Sequence, residues 1–190
     1  MEKKIEKIVE TPMSIDTMRE YIEKRKMNIV FLYDTNNLKN LDQLFKGKEY
    51  LILFVATSSK FNGHYVSMVK DDFQKVIYYF DSYGKPLKFL LNNFKGGNGY
   101  DYVQSKNILK LIEKSQYKFI ENTIDYQEYD RDVATCGRLS LMFLIMYRII
   151  TKHYKMSFTF DLMKSLMTIL CQKKNMNYDS IASFFINKLN

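Results

Sequence analysis

GHYVSMVKDDFQKVIYYFDSYG, residues 63–84, reads as two strands joined by a tight polar break. Valine, isoleucine, tyrosine and phenylalanine crowd its two halves, 63–71 and 75–84, and the DDFQ between them has the length and polarity of a turn. A run of the same character, EYLILFVATS (49–58), precedes it, and NIVFLYD (28–34) reads as a shorter strand. Outside these strands the pattern becomes helical. MSIDTMREYIEKRKM repeats apolar residues at 15, 18 and 22 behind Ser14, a helix-capping residue, and the first 13 residues read as a frayed or short helical lead-in. After Pro86 we expect helix, a loop at 92–99, a helix near 101–115, a return to the sheet within 117–126, and helices over 136–152, 160–172 and 178–188. Strands gathered in the middle with helices at both ends predict an α+β fold, and 190 residues suit one domain, 1–190, around a single core.

The N-terminal MEKKIEKIVE lacks the apolar segment of a signal peptide, and two cysteines cannot build a disulfide framework, so a reducing compartment is expected. The most apolar stretch, Leu139 to Ile150, falls short of the roughly 20 residues that a membrane span requires, which predicts a soluble protein with no membrane partner. The net charge of +8 is unevenly spread. Lys85, Lys88, Lys95, Lys106, Lys110, Lys114 and Lys118, against Asp101 and Glu113, make 84–118 a stretch of +5, whereas 121–132 carries −4 just ahead of Cys136. The lysines read either as a DNA-contacting patch or as a solvated helix face.

With two histidines and two cysteines, candidates for chemistry are few. If the hairpin turns between Asp72 and Phe73, partner numbers add to 145 and His64 stands opposite Asp81. A carboxylate there would orient the imidazole and leave its other nitrogen free as a base, although a plain strand-end salt bridge has the same signature. Cys136 follows Thr135, an N-cap type of residue, and stands where an apolar helix begins. The open amides and dipole of a helix start favour a thiolate, and Gly137 admits a close neighbour; tight packing alone also accounts for small residues there. An acyl-transfer site would need oxyanion donors, for which the Cys136 amide and the side chain of Gln127 are best placed, with Asn122 as second choice. Cys171 and His153 read as structural, and no metal-ligand set can be assembled.

Taken in order, GHY (63–65), YYFDSYG (78–84), Gln127 and TCGRLSLMFL (135–144) resemble the adenovirus maturation protease and its superfamily, which includes the SUMO-type proteases. The resemblance implies an adenain-like cysteine protease fold, with a central mixed, mostly antiparallel sheet against a buried helix bearing the nucleophile. It implies that Cys136 attacks a peptide carbonyl, His64 serves as base and then acid, Asp81 orients His64, and Gln127 lines the oxyanion hole. Gly137 and Tyr65 fall beside substrate and oxyanion, Tyr65 replacing a frequent tryptophan and packing over the imidazole. Gln127 lies nine residues before Cys136, a longer gap than the family's, so the extra residues must bulge.

Small size and a Lys/Asn/Ile/Tyr-rich composition without tryptophan look most like the proteases of virophages and Maverick/Polinton elements. That likeness implies trimming of viral capsid proteins, in the host cytoplasm or virus factory and the virion interior, by a monomer without a cofactor. DNA or a peptide is a candidate activator. The alternatives are a protease for ubiquitin- or SUMO-like modifiers, an acyltransferase of the same superfamily, and a non-enzymatic DNA- or capsid-binding protein. NFKGGNG (93–99) resembles a family cleavage site, so self-cleavage after Gly97 stands beside its plainer reading as a flexible turn.

Overall fold

Five strands form one sheet in sequence order: β1 (Ile29–Leu32), β2 (Tyr50–Ser59), β3 (Asn62–Asp71), β4 (Val76–Phe80) and β5 (Lys118–Glu121). The structure, a computed structural model, describes residues 2–27, 29–32, 38–59, 62–93, 103–129 and 133–188. β2, β3 and β4 form an antiparallel meander, while β1 runs parallel to β2 and β5 parallel to β4, so the sheet is mixed, with its longer ladders antiparallel. The helices are α1 (Glu2–Glu10), α2 (Ile15–Lys24), α3 (Leu41–Phe45), α4 (Leu87–Asn93), α5 (Val103–Glu113), α6 (Cys136–Arg148), α7 (Phe160–Lys174) and α8 (Tyr178–Lys188). A π-helical turn, Ile149–His153, extends α6.

The sheet is buried on both faces. Tyr65 and Val69 of β3 join a core built with α2, α6, α7 and α8, whereas the alternate residues Val66 and Met68 join a second core with α3, α4 and α5. β4 is buried along its whole length, which is why VIYYF is apolar at every position instead of alternating.

The hairpin register differs from the expected one. Met68 pairs with Tyr79 and Asp71 with Val76, so partner numbers add to 147. The cause is the turn. Asp71 stays in the ladder while its carboxylate accepts from the Phe73 and Gln74 amides at 3.0 and 2.8 Å, and Lys75 takes the left-handed conformation, φ 54°, that closes the loop. A shift of two residues leaves every side chain on its original face. His64 and Asp81 therefore still share a face, as diagonal neighbours rather than direct opposites.

Other differences have local causes. The expected strand over 117–126 ends at Glu121, after which Asn122 turns its side chain to the Asp81 backbone. LDQLF (41–45) forms the short helix α3, capped by Asn40, which accepts from the Gln43 amide at 2.8 Å. Within the N-terminal lead-in, α1 is packed rather than frayed: Ile5 and Val9 are buried, and the Val9 carbonyl accepts from the Ala134 amide at 3.0 Å. Gly97 and Lys95 lie outside the described residues, and so does the proposed self-cleavage stretch around them. Among the described residues, no helix is long and apolar enough to cross a membrane.

Two serines set α6 against the sheet. Ser140 Oγ donates to the Tyr65 carbonyl at 3.2 Å, and Ser67 Oγ donates to the Ser140 carbonyl at 3.4 Å. Phe143 stacks on Phe80 at 5.1 Å between centroids. The polar residue inside the apolar run thus fixes where α6 lies along β3, and hence where Cys136 stands relative to His64.

The turn after β4 depends on Gly84. Its φ is +61°, and a Cβ there would come within 2.9 Å of the backbone of Thr123 and Ile124. Gly84→Ala is expected to lower stability by about 1–3 kcal/mol, read as a fall in the thermal midpoint. An unchanged midpoint would mean that this turn is free to relax.

Candidate active site

β3 delivers His64 and the turn after β4 delivers Asp81, both buried, with His64 Nε2 2.5 Å from Asp81 Oδ1. The same carboxylate accepts from the backbone amides of Tyr83 and Lys85, at 3.3 and 3.1 Å, so its charge is held by three donors. Asn122, considered above as an oxyanion donor, has another task. Its Oδ1 accepts from the Asp81 amide at 2.7 Å, and its Nδ2 donates to the carbonyls of Asp81 and Ile124, both at 2.9 Å. Asn122 clamps the backbone that carries the carboxylate.

The ring stacked on the imidazole belongs to Tyr83, with centroids 5.2 Å apart and planes 21° apart, and Tyr129 stacks in turn on Tyr83 at 4.6 Å. The covering role expected of Tyr65 thus falls to Tyr83. The Tyr65 ring packs on Phe54 at 5.0 Å, and its amide hydrogen-bonds the Cys136 sulfur.

Cys136 begins α6, but Thr135 does not cap the helix as its type suggests. The Thr135 hydroxyl instead donates to the buried Asp179 carboxylate of α8. The first amides of α6 therefore receive no side-chain cap and face the thiol and whatever binds beside it. A Cβ at Gly137 would lie 2.7 Å from the Met18 methyl and 3.3 Å from the Tyr65 ring, so both side chains would have to give way.

The thiol and the imidazole are hydrogen-bonded partners. Because Nε2 faces Asp81, Nδ1 is the ring nitrogen left for sulfur. Burial alone would favour neutral imidazole, but the Asp81 and Cys136 hydrogen bonds and charges outweigh it and raise the His64 pKa above 6.5. Burial likewise works against the thiolate, yet the His64 hydrogen bond and charge, with the Tyr65 and Gly137 amides, bring the Cys136 pKa below the usual thiol value. Each partner thus favours the charged form of the other.

Gln127 is buried in the same cleft. Ser82 Oγ donates to its Oε1 at 2.8 Å, and its Nε2 donates to the Val133 carbonyl at 3.1 Å, while a carboxamide nitrogen has a second hydrogen to offer. The nine-residue gap to Cys136 closes on one side chain. Asp179 accepts from the Glu128 amide at 3.0 Å through Oδ2 and from Thr135 through Oδ1, so both ends of the excursion between them are tied to one carboxylate. Nothing in the sequence marks Asp179, Ser82 or Asn122 for these roles.

The cleft where thiol and imidazole meet has a volume of about 550 Å³. Two wider grooves, about 820 and 790 Å³, lie away from this pair and are lined mainly by helical residues. Of the lysine-rich stretch, five side chains are described. Lys118 pairs with Val76 at the start of the β4–β5 ladder, whereas Lys85 follows the far end of β4, its ammonium over the Tyr129 ring at 5.4 Å. Lys88, Lys110 and Lys114 are exposed on α4, on α5 and just after α5, and the side chains of Lys95 and Lys106 lie outside the described residues. Among the described residues no group of three or more His, Cys, Asp or Glu is arranged to hold a metal ion.

No family model and no curated protein matches the chain. Among solved structures, it is similar to the C-terminal Ulp1 protease domain in complex with Smt3, the yeast ortholog of SUMO, at 16% identity and a TM-score of 0.38, over 95% of this chain and 80% of that one. It is also similar to the SUMO protease Ulp1 with its catalytic cysteine oxidised to a sulfonic acid, at 15% identity and a TM-score of 0.35, over 98% and 77% of the two chains. Both are remote likenesses.

Proposed function

We propose that the protein is a cysteine endopeptidase in which Cys136, His64, Asp81 and Gln127 carry the reaction. The observation that supports this best is the Asp81–His64–Cys136 relay of hydrogen bonds ending at an uncapped helix start. The Cys136 thiolate attacks the scissile carbonyl carbon, and the carbonyl π electrons move to oxygen. The Cys136 amide and the second Nε2 hydrogen of Gln127 hold that oxyanion. As the C–N bond breaks, imidazolium gives its proton to the leaving amine, and a thioester remains on Cys136. Neutral His64 then takes a proton from water, hydroxide adds to the thioester, and the carboxylic acid leaves as the thiolate and imidazolium are restored. Asp81 keeps Nδ1 aimed at sulfur throughout.

The substrates we propose are structural proteins of a virus particle, processed by a monomer in the virus factory and the virion interior. Support comes from the ordered motifs and the composition of the chain. Removal of SUMO-like modifiers uses the same chemistry, and the complex of the Ulp1 domain with Smt3 makes it the reading to test against. Side-by-side assays of a co-expressed capsid protein and of a SUMO precursor separate them: faster capsid cleavage by at least about tenfold is expected, and the reverse order would replace the viral reading. Gln127→Ala should lower kcat by about 10²-fold with little change in KM, since the lost donor acts on charge present only in the transition state. An unchanged kcat in that variant would remove Gln127 from the oxyanion site.

A further inference from the structure

The N-terminal strap between α1 and α2 is built into the cleft at Cys136. Pro12, Met13, Ser14 and Ile15 line it, facing a side made by Phe54, Gly63 and Tyr65. The Val9 carbonyl accepts from the Ala134 amide at 3.0 Å, two residues before the thiol. Arg138, only 5% exposed, donates through Nη1 to the Thr11 carbonyl at 2.8 Å and to the Ala134 carbonyl at 3.4 Å. Met13 is buried in the core, and Ser14 caps α2 by accepting from the Thr17 amide at 3.1 Å. A buried guanidinium two residues past the nucleophile, spent on two backbone carbonyls, is costly unless the position of those carbonyls matters. What it fixes is the near wall of the cleft.

Building on the protease reading above, we infer that this strap is a specificity element, in which Ile15, with Phe54 across the cleft, receives an apolar side chain of the substrate close to the scissile bond. Both residues are half-buried against the core and leave apolar surface open to the cleft. An extended substrate lying between the strap and the start of β3 has its backbone at Cys136 and one side chain directed at Ile15. Arg138 is a positioning residue in this arrangement, acting through the strap.

The test is a mixture of peptides randomised on both sides of the cleaved bond, digested by the wild-type chain, by Ile15→Glu and by Ile15→Lys, with cleavage sites read by mass spectrometry. Ile15 occupies the first turn of α2, where a glutamate suits the helix dipole, so Ile15→Glu is compatible with folding. For the wild type we expect one position near the scissile bond to favour Leu, Ile, Met or Phe by about tenfold over Lys and Glu, the scale on which apolar pockets discriminate. Ile15→Glu should turn that same position toward Lys and Arg, and Ile15→Lys toward Asp and Glu. Identical profiles for all three chains, or a wild type without apolar preference at any position, would overturn the inference while leaving the protease standing. A wild-type chain that cleaves no peptide although Cys136 is readily alkylated would overturn the protease reading itself, and this inference with it.

Discussion

Cys136→Ala is expected to reduce kcat/KM for peptide cleavage by at least about 10⁴-fold, because no other group in the cleft can form the thioester. The loss should not come from unfolding. Cys136 is half-buried at the mouth of α6, and the helix is held by contacts further along it, through Ser140, Phe143 and the core they enter. The thermal midpoint should therefore stay close to that of the wild type while activity disappears. Cys136→Ser should be nearly as inactive, since a hydroxyl is far less acidic and less nucleophilic than a thiol. Cys171→Ala provides the contrast. Burial raises the pKa of Cys171, and its removal should leave cleavage unaltered. Residual activity within about tenfold of wild type in Cys136→Ala would dismiss the covalent mechanism, whatever the substrate.

The second large effect concerns the charge state of the thiol. In the wild type, iodoacetamide should alkylate Cys136 much faster than Cys171 at neutral pH, and the rate should reach half its plateau below the usual thiol pKa. His64→Ala removes both the hydrogen bond and the positive charge that favour thiolate, leaving burial, which opposes it, as the larger influence. The sign follows directly. The thiolate fraction rises with pH through the Cys136 pKa, so raising that pKa moves the rate profile to higher pH. Near pH 6.5 the variant should react more slowly, by about tenfold for each unit that the pKa rises, and the two profiles should converge at high pH. Peptide cleavage should fall further, by about 10³-fold or more, because the leaving amine also loses its proton donor. Superimposable alkylation profiles would show that the imidazole does not charge the thiol.

The parts of the site that were legible in the sequence belong to single elements. His64 and Asp81 fall on one face because the parity of a hairpin survives an even change of register, so the two side chains meet although the turn at Lys75 makes them diagonal neighbours instead of direct opposites. Cys136 at the start of an apolar run is likewise a local pattern, readable without knowing what the helix packs against. Gln127 was named from its position ahead of the cysteine, but the means by which it reaches the cleft, through Ser82, Val133 and Asp179, join separate stretches of chain. Tyr83 stacks on the imidazole across the hairpin, a contact that residue type does not encode.

The sequence by itself therefore determined the α+β arrangement and the chemical identity of a thiol, an imidazole and a carboxylate, since strand parity, helix starts and side-chain chemistry are properties of a few adjacent residues. Only the tertiary structure decided how those groups are held. Asn122 clamps Asp81 from 41 residues away, Asp179 reaches Thr135 across 44, and Arg138 holds the Thr11 carbonyl across 127. Each rests on one or two hydrogen bonds between distant segments and leaves no periodicity in the chain. Such contacts form only where packed layers exclude water and leave a buried donor or acceptor no other partner.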